Sequence, residues 1–311
     1  MEKSGTIIKS TGSWFIVKTD DRQEIPCKIK GNFRIKGIRS TNPVAVGDHV
    51  HFRTNTDDTG LIYKIEERKN YIIRKSTRLS KASHIIAANI DQAFLIVTLV
   101  LPRTSRGFID RFLVTAEAYH IPVALVFNKT DFYDDKMEAQ HRHLQNVYEN
   151  AGYTCFATSA DTGSGFNTLE TALKNNTTLF SGHSGVGKTA IINRLNPGNP
   201  RRVGSLSILH QKGKHTTTFA EMLDLPFQGK IIDTPGIKEF GLYDFDKAEV
   251  AERFPEMRER MHACKFHNCT HVHEPGCAVK QAVEEGNIDE IRYKNYLSIL
   301  SDENFDIKEW E

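Results

Sequence analysis

The sequence predicts a multi-domain chain: an all-β barrel of the OB type, a central α/β domain, and a mostly α segment stabilised by a metal. Three observations predict it. Short β-rich runs punctuated by turn residues fill residues 1–72, buried-type strands alternate with helical patterns over residues 73–243, and a Cys/His cluster sits in the acidic, helix-patterned stretch 244–311. At 311 residues the chain is long enough for two or three separate cores.

Bulk composition narrows the class. Hydrophobic residues at 39% and charged residues at 26% are ordinary for a globular protein. No stretch approaches the roughly 18 apolar residues of a membrane span, and Met1 to Thr6 carries no signal-peptide core. A cytoplasmic protein without a membrane partner is therefore expected, as a monomer. Five cysteines, three of them close together near the C-terminus, suit a reducing compartment and a metal site better than a disulfide framework. The net charge of +2 is unevenly spread: residues 1–72 carry 13 Lys and Arg against 9 Asp and Glu, whereas residues 238–311 carry 10 against 17. The basic excess of the first two-thirds permits contact with a polyanion.

In the N-terminal part, Gly5–Ser10 and Trp14–Lys18 flank the turn Thr11-Gly12-Ser13. Glu24–Lys30, Asp48–Arg53 and Leu61–Ile65 follow as further strands. Five short strands fit a small OB-type barrel. Residues 27–40 hold Lys28, Lys30, Arg34, Lys36 and Arg39 without an acid, together with Phe33. Basic groups beside an aromatic ring are what a barrel uses to hold single-stranded nucleic acid; a merely solvated loop is the competing reading.

Residues 73–90 read as a basic connector with Arg74, Lys75, Arg78 and Lys81. It leads into the apolar run Ala93–Val100, a helical pattern over Phe108–His120 and a second apolar strand, Pro122–Phe127. This is βαβ grammar. The second strand ends in Asn128-Lys129-Thr130-Asp131, the N-K-x-D pattern that reads guanine. A carboxylate at Asp131 accepts from the N1–H and the 2-amino group of guanine; adenine would leave it unsatisfied. Asn128 would support the loop and the Lys129 stem would cover the ring. After a helix over residues 136–151 and a strand from Thr154 comes Thr158-Ser159-Ala160, whose backbone N–H is suited to the guanine oxygen.

Residues 182–189, Gly182-His183-Ser184-Gly185-Val186-Gly187-Lys188-Thr189, match the phosphate-loop pattern G-x-x-x-x-G-K-[ST] between a strand at Thr177–Phe180 and a helix from Ala190. Glycines let successive N–H groups turn inward onto phosphate oxygens, Lys188 neutralises the β/γ-phosphates, and the Thr189 hydroxyl ligates Mg²⁺. Thr216-Thr217-Thr218 supplies a threonine to close over the γ-phosphate and Mg²⁺; Thr217 is favoured among three adjacent candidates. Lys230–Asp233 enters Asp233-Thr234-Pro235-Gly236, with Asp233 placed for Mg²⁺ and the Gly236 N–H for the γ-phosphate. Ile237 stands where Ras-like enzymes carry a water-orienting Gln, so slow intrinsic hydrolysis is expected. His215 is the nearest group able to position water, against the alternative of a histidine with no chemical role.

The order of these parts is unusual. In an ordinary GTPase the phosphate loop comes first and N-K-x-D late; here Asn128–Asp131 and Ser159-Ala160 precede Gly182–Thr189. Joining neighbouring termini and opening the chain elsewhere preserves the site, which makes the central domain a circularly permuted P-loop GTPase. Permutation also places the Asp233–Gly236 motif directly before the C-terminal segment. There Cys264, Cys269, His271 and Cys277 form a Cys₃His set, a closed tetrahedral zinc complement that stabilises a short polar segment; His267 and His273 are alternates.

The permuted order, the preceding barrel and the Cys-x4-Cys-x-His-x5-Cys cluster together resemble the ribosome small-subunit-dependent GTPase A (RsgA) family over nearly the whole chain. The resemblance implies a GTP hydrolase that acts late in small-ribosomal-subunit maturation. It would bind the particle and its rRNA with GTP and leave as the GDP form, with one structural Zn²⁺ and Mg²⁺ accompanying the nucleotide. Lys214 stands where Arg is frequent in the family.

Overall fold

The computed structural model describes residues 1–29, 43–74, 84–201, 220–234 and 249–301. Of the basic patch, Lys30, Phe33, Arg34, Lys36 and Arg39 lie outside these, as do His215, Thr217, Gly236 and Ile237.

Strands β1 (Glu2–Ser10), β2 (Phe15–Thr19), β3 (Glu24–Ile29), β4 (His49–Thr54) and β5 (Gly60–Ile65) build the first unit. β1 pairs with β2 and β4, β2 with β3, β3 with β5 and β5 with β4, so the ring closes, while β1 runs past its pairing with β4. Alternation sends Ile7, Phe15, Val17, Cys27, Val50, Phe52 and Ile62 inward, each 0–1% exposed. Burial pushes the Cys27 thiol up to about 12, which fits an inert apolar filler.

The connector differs from its sequence reading. Tyr71–Arg74 and His84–Ala88 are strands β6 and β7, an antiparallel pair. The basic, turn-poor string between them conceals the pairing, because neither short strand shows a clean alternation. Here Asp48, fully buried, is held by Arg68 Nε at 2.6 Å and Nη2 at 2.7 Å and accepts from the Ala45 N–H at 2.8 Å. The bidentate pair fastens the barrel to the strands that follow.

The central sheet contains β8 (Gln92–Val97), β9 (Val123–Phe127), β10 (Thr154–Ala157), β11 (Thr177–Ser181), β12 (Glu221–Asp224) and β13 (Lys230–Asp233). The order is β10-β9-β8-β11-β13-β12, parallel except for β12. Helices α1 (Arg106–Ala118), α2 (Asp135–Asn150), α3 (Phe166–Leu173) and α4 (Lys188–Leu195) accompany it. Ser105 caps α1 and Asp134 caps α2 by accepting from the Phe108 and Met137 N–H groups. Lys9 of β1 pairs with Glu221 of β12, so barrel and central sheet meet edge to edge.

Beyond residue 248 come α5 (Pro255–Arg258), α6 (Ala278–Glu284) and α7 (Glu290–Ser301). Their core gathers Phe254, Met257, Val279, Tyr296 and Ile299, joined by Val114 of α1. Arg292 of α7 is 1% exposed. It meets Glu256 through Nε at 2.5 Å and Nη2 at 3.0 Å, and Asp110 of α1 through Nη1 at 2.6 Å. Among the described residues, no helix is long and apolar enough to cross a membrane.

Candidate nucleotide and metal sites

The strand ends that carry the motifs converge because β11 lies between β8 and β13, with β9 one strand further. A chain leaving buried β11 must turn sharply to start α4. Gly182 has φ +142°, and a Cβ there would lie 2.4 Å from the Ile96 carbonyl oxygen. Gly187, at φ +95°, would place a Cβ 2.3 Å from Asn128 Nδ2. Both positions demand glycine. Among the described residues no side chain caps α4, and its first turn holds no acid, so the leading N–H groups and the positive end of the helix suit an anion.

Lys188 is held inside this loop. Its Nζ donates to the carbonyl oxygens of Gly182 and His183, the latter at 2.9 Å. Burial pushes its ammonium down to about 8, with Asp233 acting in the opposite sense. His183 packs its ring on Phe108 of α1 with centroids 3.8 Å apart. Ser184 and Gly185 are exposed, Val186 is buried, and Thr189 and Ala190 are half-buried.

Asn128 joins three segments. Its Nδ2 donates to the Val186 carbonyl at 2.8 Å, while Oδ1 accepts from the Ala160 N–H and the Thr158 hydroxyl, both at 3.3 Å. Lys129 adopts a left-handed φ of 67°, and its Nζ donates to the Leu101 carbonyl; burial lowers its ammonium pKa. Thr130 donates through N and Oγ1 to the Thr158 carbonyl at 3.2 and 3.1 Å. That fixes the turn which leaves Asp131 exposed. Ser159 is buried, and its Oγ accepts from the Thr162 N–H at 3.1 Å. Arg194 of α4 donates to the Ala160, Asp161 and Thr162 carbonyls at 3.1–3.3 Å. This clamp was not read from sequence; a cation on the last turn of the helix after the phosphate loop was its signal.

Asp233 ends β13 nearly buried. Burial raises its carboxyl pKa, and Arg201 and Lys188 pull the other way. Arg201 Nη1 donates to it at 2.7 Å, a contact that has no sequence signal. The neighbouring Thr234 hydroxyl donates to the Phe180 carbonyl at 3.1 Å and locks β13 to β11.

In the C-terminal part, one ligand atom each from Cys264, Cys269, His271 and Cys277 lies within 4.8 Å of the others. His271, fully buried with φ 58°, turns Nδ1 to 3.6 Å from Cys264 Sγ and 3.3 Å from Cys277 Sγ. Three thiols and an imidazole nitrogen converging in this way can hold one metal ion. The alternates His267 and His273 are exposed and stand outside the cluster. Tyr293 and Tyr296 of α7 donate to the His271 and Thr270 carbonyls, and Glu274 accepts from four groups of residues 270–273. The loop is therefore braced from outside. In the barrel, Lys28 Nζ lies 4.4 Å from the centre of the Trp14 ring, and Trp14 is exposed.

The RsgA GTPase family model matches residues 65–243, and the RsgA N-terminal domain model matches residues 4–62. The chain is 55% identical over 298 residues to the small ribosomal subunit biogenesis GTPase RsgA of Bacteroides fragilis, covering 96% of both proteins. It is 52% identical over 302 residues to the protein of that name from Christiangramia forsetii, again covering 96% of both. Among solved structures, the crystal structure of YjeQ from Thermotoga maritima aligns with a TM-score of 0.78 at 33% identity, over 97% of this chain and 98% of that one. YloQ, a circularly permuted GTPase, aligns with a TM-score of 0.73 at 29% identity, over 100% and 96%.

Proposed function

The chain belongs to the RsgA GTPase family and is a circularly permuted GTP hydrolase; on that premise we propose that it serves late in maturation of the small ribosomal subunit, binding rRNA and leaving when GTP is hydrolysed. Support for the partner comes from the relatives that carry this role in their names and match almost end to end. The barrel with Trp14 and Lys28, and the basic residues 28–39, are the surface we assign to rRNA. We place the protein in the cytoplasm, acting as a monomer. Residues 1–72, 73–243 and 244–311 are taken as its domains.

The observation that carries the GTP site is the position of Asn128, bonded at once to the phosphate loop and to the Thr158–Ala160 loop. Around it, Asp131 reads the guanine edge, Lys129 covers the base, and Ser159 and Ala160 face the guanine oxygen. The loop Gly182 to Gly187 wraps the phosphates with Thr189 and Ala190, and Lys188 exchanges its bonds to the loop carbonyls for bonds to phosphate oxygens. Thr189 and Asp233 offer the hard oxygen donors Mg²⁺ requires. Mg²⁺ bound with the nucleotide supplies neutralisation of the phosphate charge. From sequence, Thr217 joins the magnesium ligands, Gly236 contacts the γ-phosphate and His215 positions water.

The Cys₃His cluster takes Zn²⁺ as a structural ion, since four protein donors leave no open position for chemistry. Multiple-turnover GTP hydrolysis with and without purified small subunits tests the whole reading. Stimulation by small but not large subunits is expected; an unchanged rate would refute the ribosomal assignment and leave the hydrolase.

A further inference from the structure

Charged side chains run without a break from the barrel to the carboxylate that ends β13. Lys9 Nζ of β1 lies 3.2 Å from Glu221 Oε1 of β12, across the register pair that joins barrel to central sheet. The other oxygen, Glu221 Oε2, accepts from Arg201 Nη2. Arg201 Nη1 donates to Asp233 Oδ2 at 2.7 Å. Arg201 is also fixed by its backbone: its N–H donates to Asn193 Oδ1 at 2.7 Å and its carbonyl accepts from Asn193 Nδ2 at 2.8 Å. Asn193 belongs to α4, the helix that follows the phosphate loop. The side chains of Arg201, Glu221 and Asp233 are only 20%, 29% and 12% exposed, so solvent screens their interactions weakly.

We propose that Arg201 is a positioning residue that competes with Mg²⁺ for Asp233, and that the barrel sets the strength of this competition through Lys9 and Glu221. The inference rests on the assignment of Asp233 to the magnesium site. The Asp233 oxygen that accepts from the guanidinium is unavailable to a metal or its bound water, and a second cation brought to this buried carboxylate meets the repulsion of the first. Metal binding is then an exchange: Arg201 swings its charge toward Glu221 as Asp233 turns to the ion. Glu221 makes that exchange possible because it already holds the other edge of the same guanidinium. Lys9 weakens the hold of Glu221 by drawing on the same carboxylate.

This geometry dictates signs. Without the charge of Glu221, the whole attraction of Arg201 falls on Asp233, and the metal has more to displace. Without Lys9, Glu221 grips Arg201 more firmly, and Asp233 is released more readily. A purely structural role for the same ion pairs would move both variants alike, and through-space charge alone would keep both effects undiminished when Arg201 is removed.

The test measures release of N-methylanthraniloyl-GDP from the full-length chain while Mg²⁺ is titrated, and reads the Mg²⁺ concentration that gives half of the maximal slowing. Arg201→Ala should lower that concentration roughly three- to thirty-fold, the range expected for directly coupled charges. Lys9→Ala should lower it less, Glu221→Gln should raise it, and both effects should shrink once Arg201 is alanine, leaving only the direct charge effect on Asp233. Should Arg201→Ala fail to fold, Arg201→Gln, which keeps the side-chain length and a hydrogen-bonding end without the charge, carries the same test. Shifts in one direction for both, or an Arg201→Ala protein with the wild-type requirement, would overturn the proposal. Asp233→Asn separates it from its premise. If that variant loses the Mg²⁺ effect while Arg201→Ala changes nothing, the competition alone is wrong. If it keeps the Mg²⁺ effect, Asp233 is not the metal residue and both fall.

Discussion

Asp131 and His141 show how single residues can be legible or hidden. Asp131 follows a buried strand in a four-residue pattern, and the chain leaves it exposed. Asp131→Asn should weaken GTP binding roughly a hundredfold or more, because an amide cannot accept both guanine donors. Xanthosine triphosphate, which presents the complementary pair, should gain, as competition binding would reveal. His141 carried no such signal. On α2 its ring meets Phe127 edge-on at 4.8 Å, its Nε2 has no partner among the described residues, and burial lowers its pKa from 6.5. The unfolded chain therefore takes up this proton more readily than the native one. The stabilising difference is complete well above pH 6.5 and is lost as pH falls through that value. Thermal unfolding followed from about pH 8 to about pH 5.5, a span that brackets the histidine range, should show a shallower acid loss in His141→Phe than in the parent.

At the scale of elements, the phosphate loop and its helix were readable because their geometry is local. Two glycines held at positive φ decide the turn, and both lie within the motif itself. Its fit against β9 was not readable, since the pattern gives no distance to Asn128, 59 positions earlier in the sequence. Gly187→Ala joins both facts: the new methyl would lie 2.3 Å from Asn128 Nδ2 at a φ of +95°. The left-handed backbone costs about 1–2 kcal/mol for a residue with a Cβ, and the clash breaks the clasp onto Val186. Equilibrium binding of fluorescent GDP should weaken at least about tenfold, with the far-ultraviolet circular dichroism unchanged. The strand pair β6–β7 was missed for the opposite reason. Its pairing is non-local, and four basic residues in residues 73–90 read as a solvated connector.

For the molecule as a whole, the join between the central domain and the C-terminal segment turns on Arg292. It is enclosed by Asp110, Glu256 and the rings of Tyr148, Tyr153 and Phe254 at 5.1–5.7 Å. Arg292→Met would keep the volume but leave two buried carboxylates unpaired, a loss of about 3–5 kcal/mol. Denaturant unfolding should report it, and replacing Asp110 and Glu256 with Asn and Gln in the same chain should recover part of it. The sequence by itself determined the parts list: five barrel strands, a phosphate loop, a base-reading turn, a Cys₃His set, and the permuted order in which they come. Each is encoded by neighbours in the chain, through alternation, glycine placement or ligand spacing. Only the tertiary structure decided which charges meet. Lys9, Glu221, Arg201 and Asp233 come from four separate stretches, and Asp110, Glu256 and Arg292 from three. A charged residue in a sequence has many possible partners at equal cost. Burial removes the solvent that makes those choices equivalent, and the fold then leaves one.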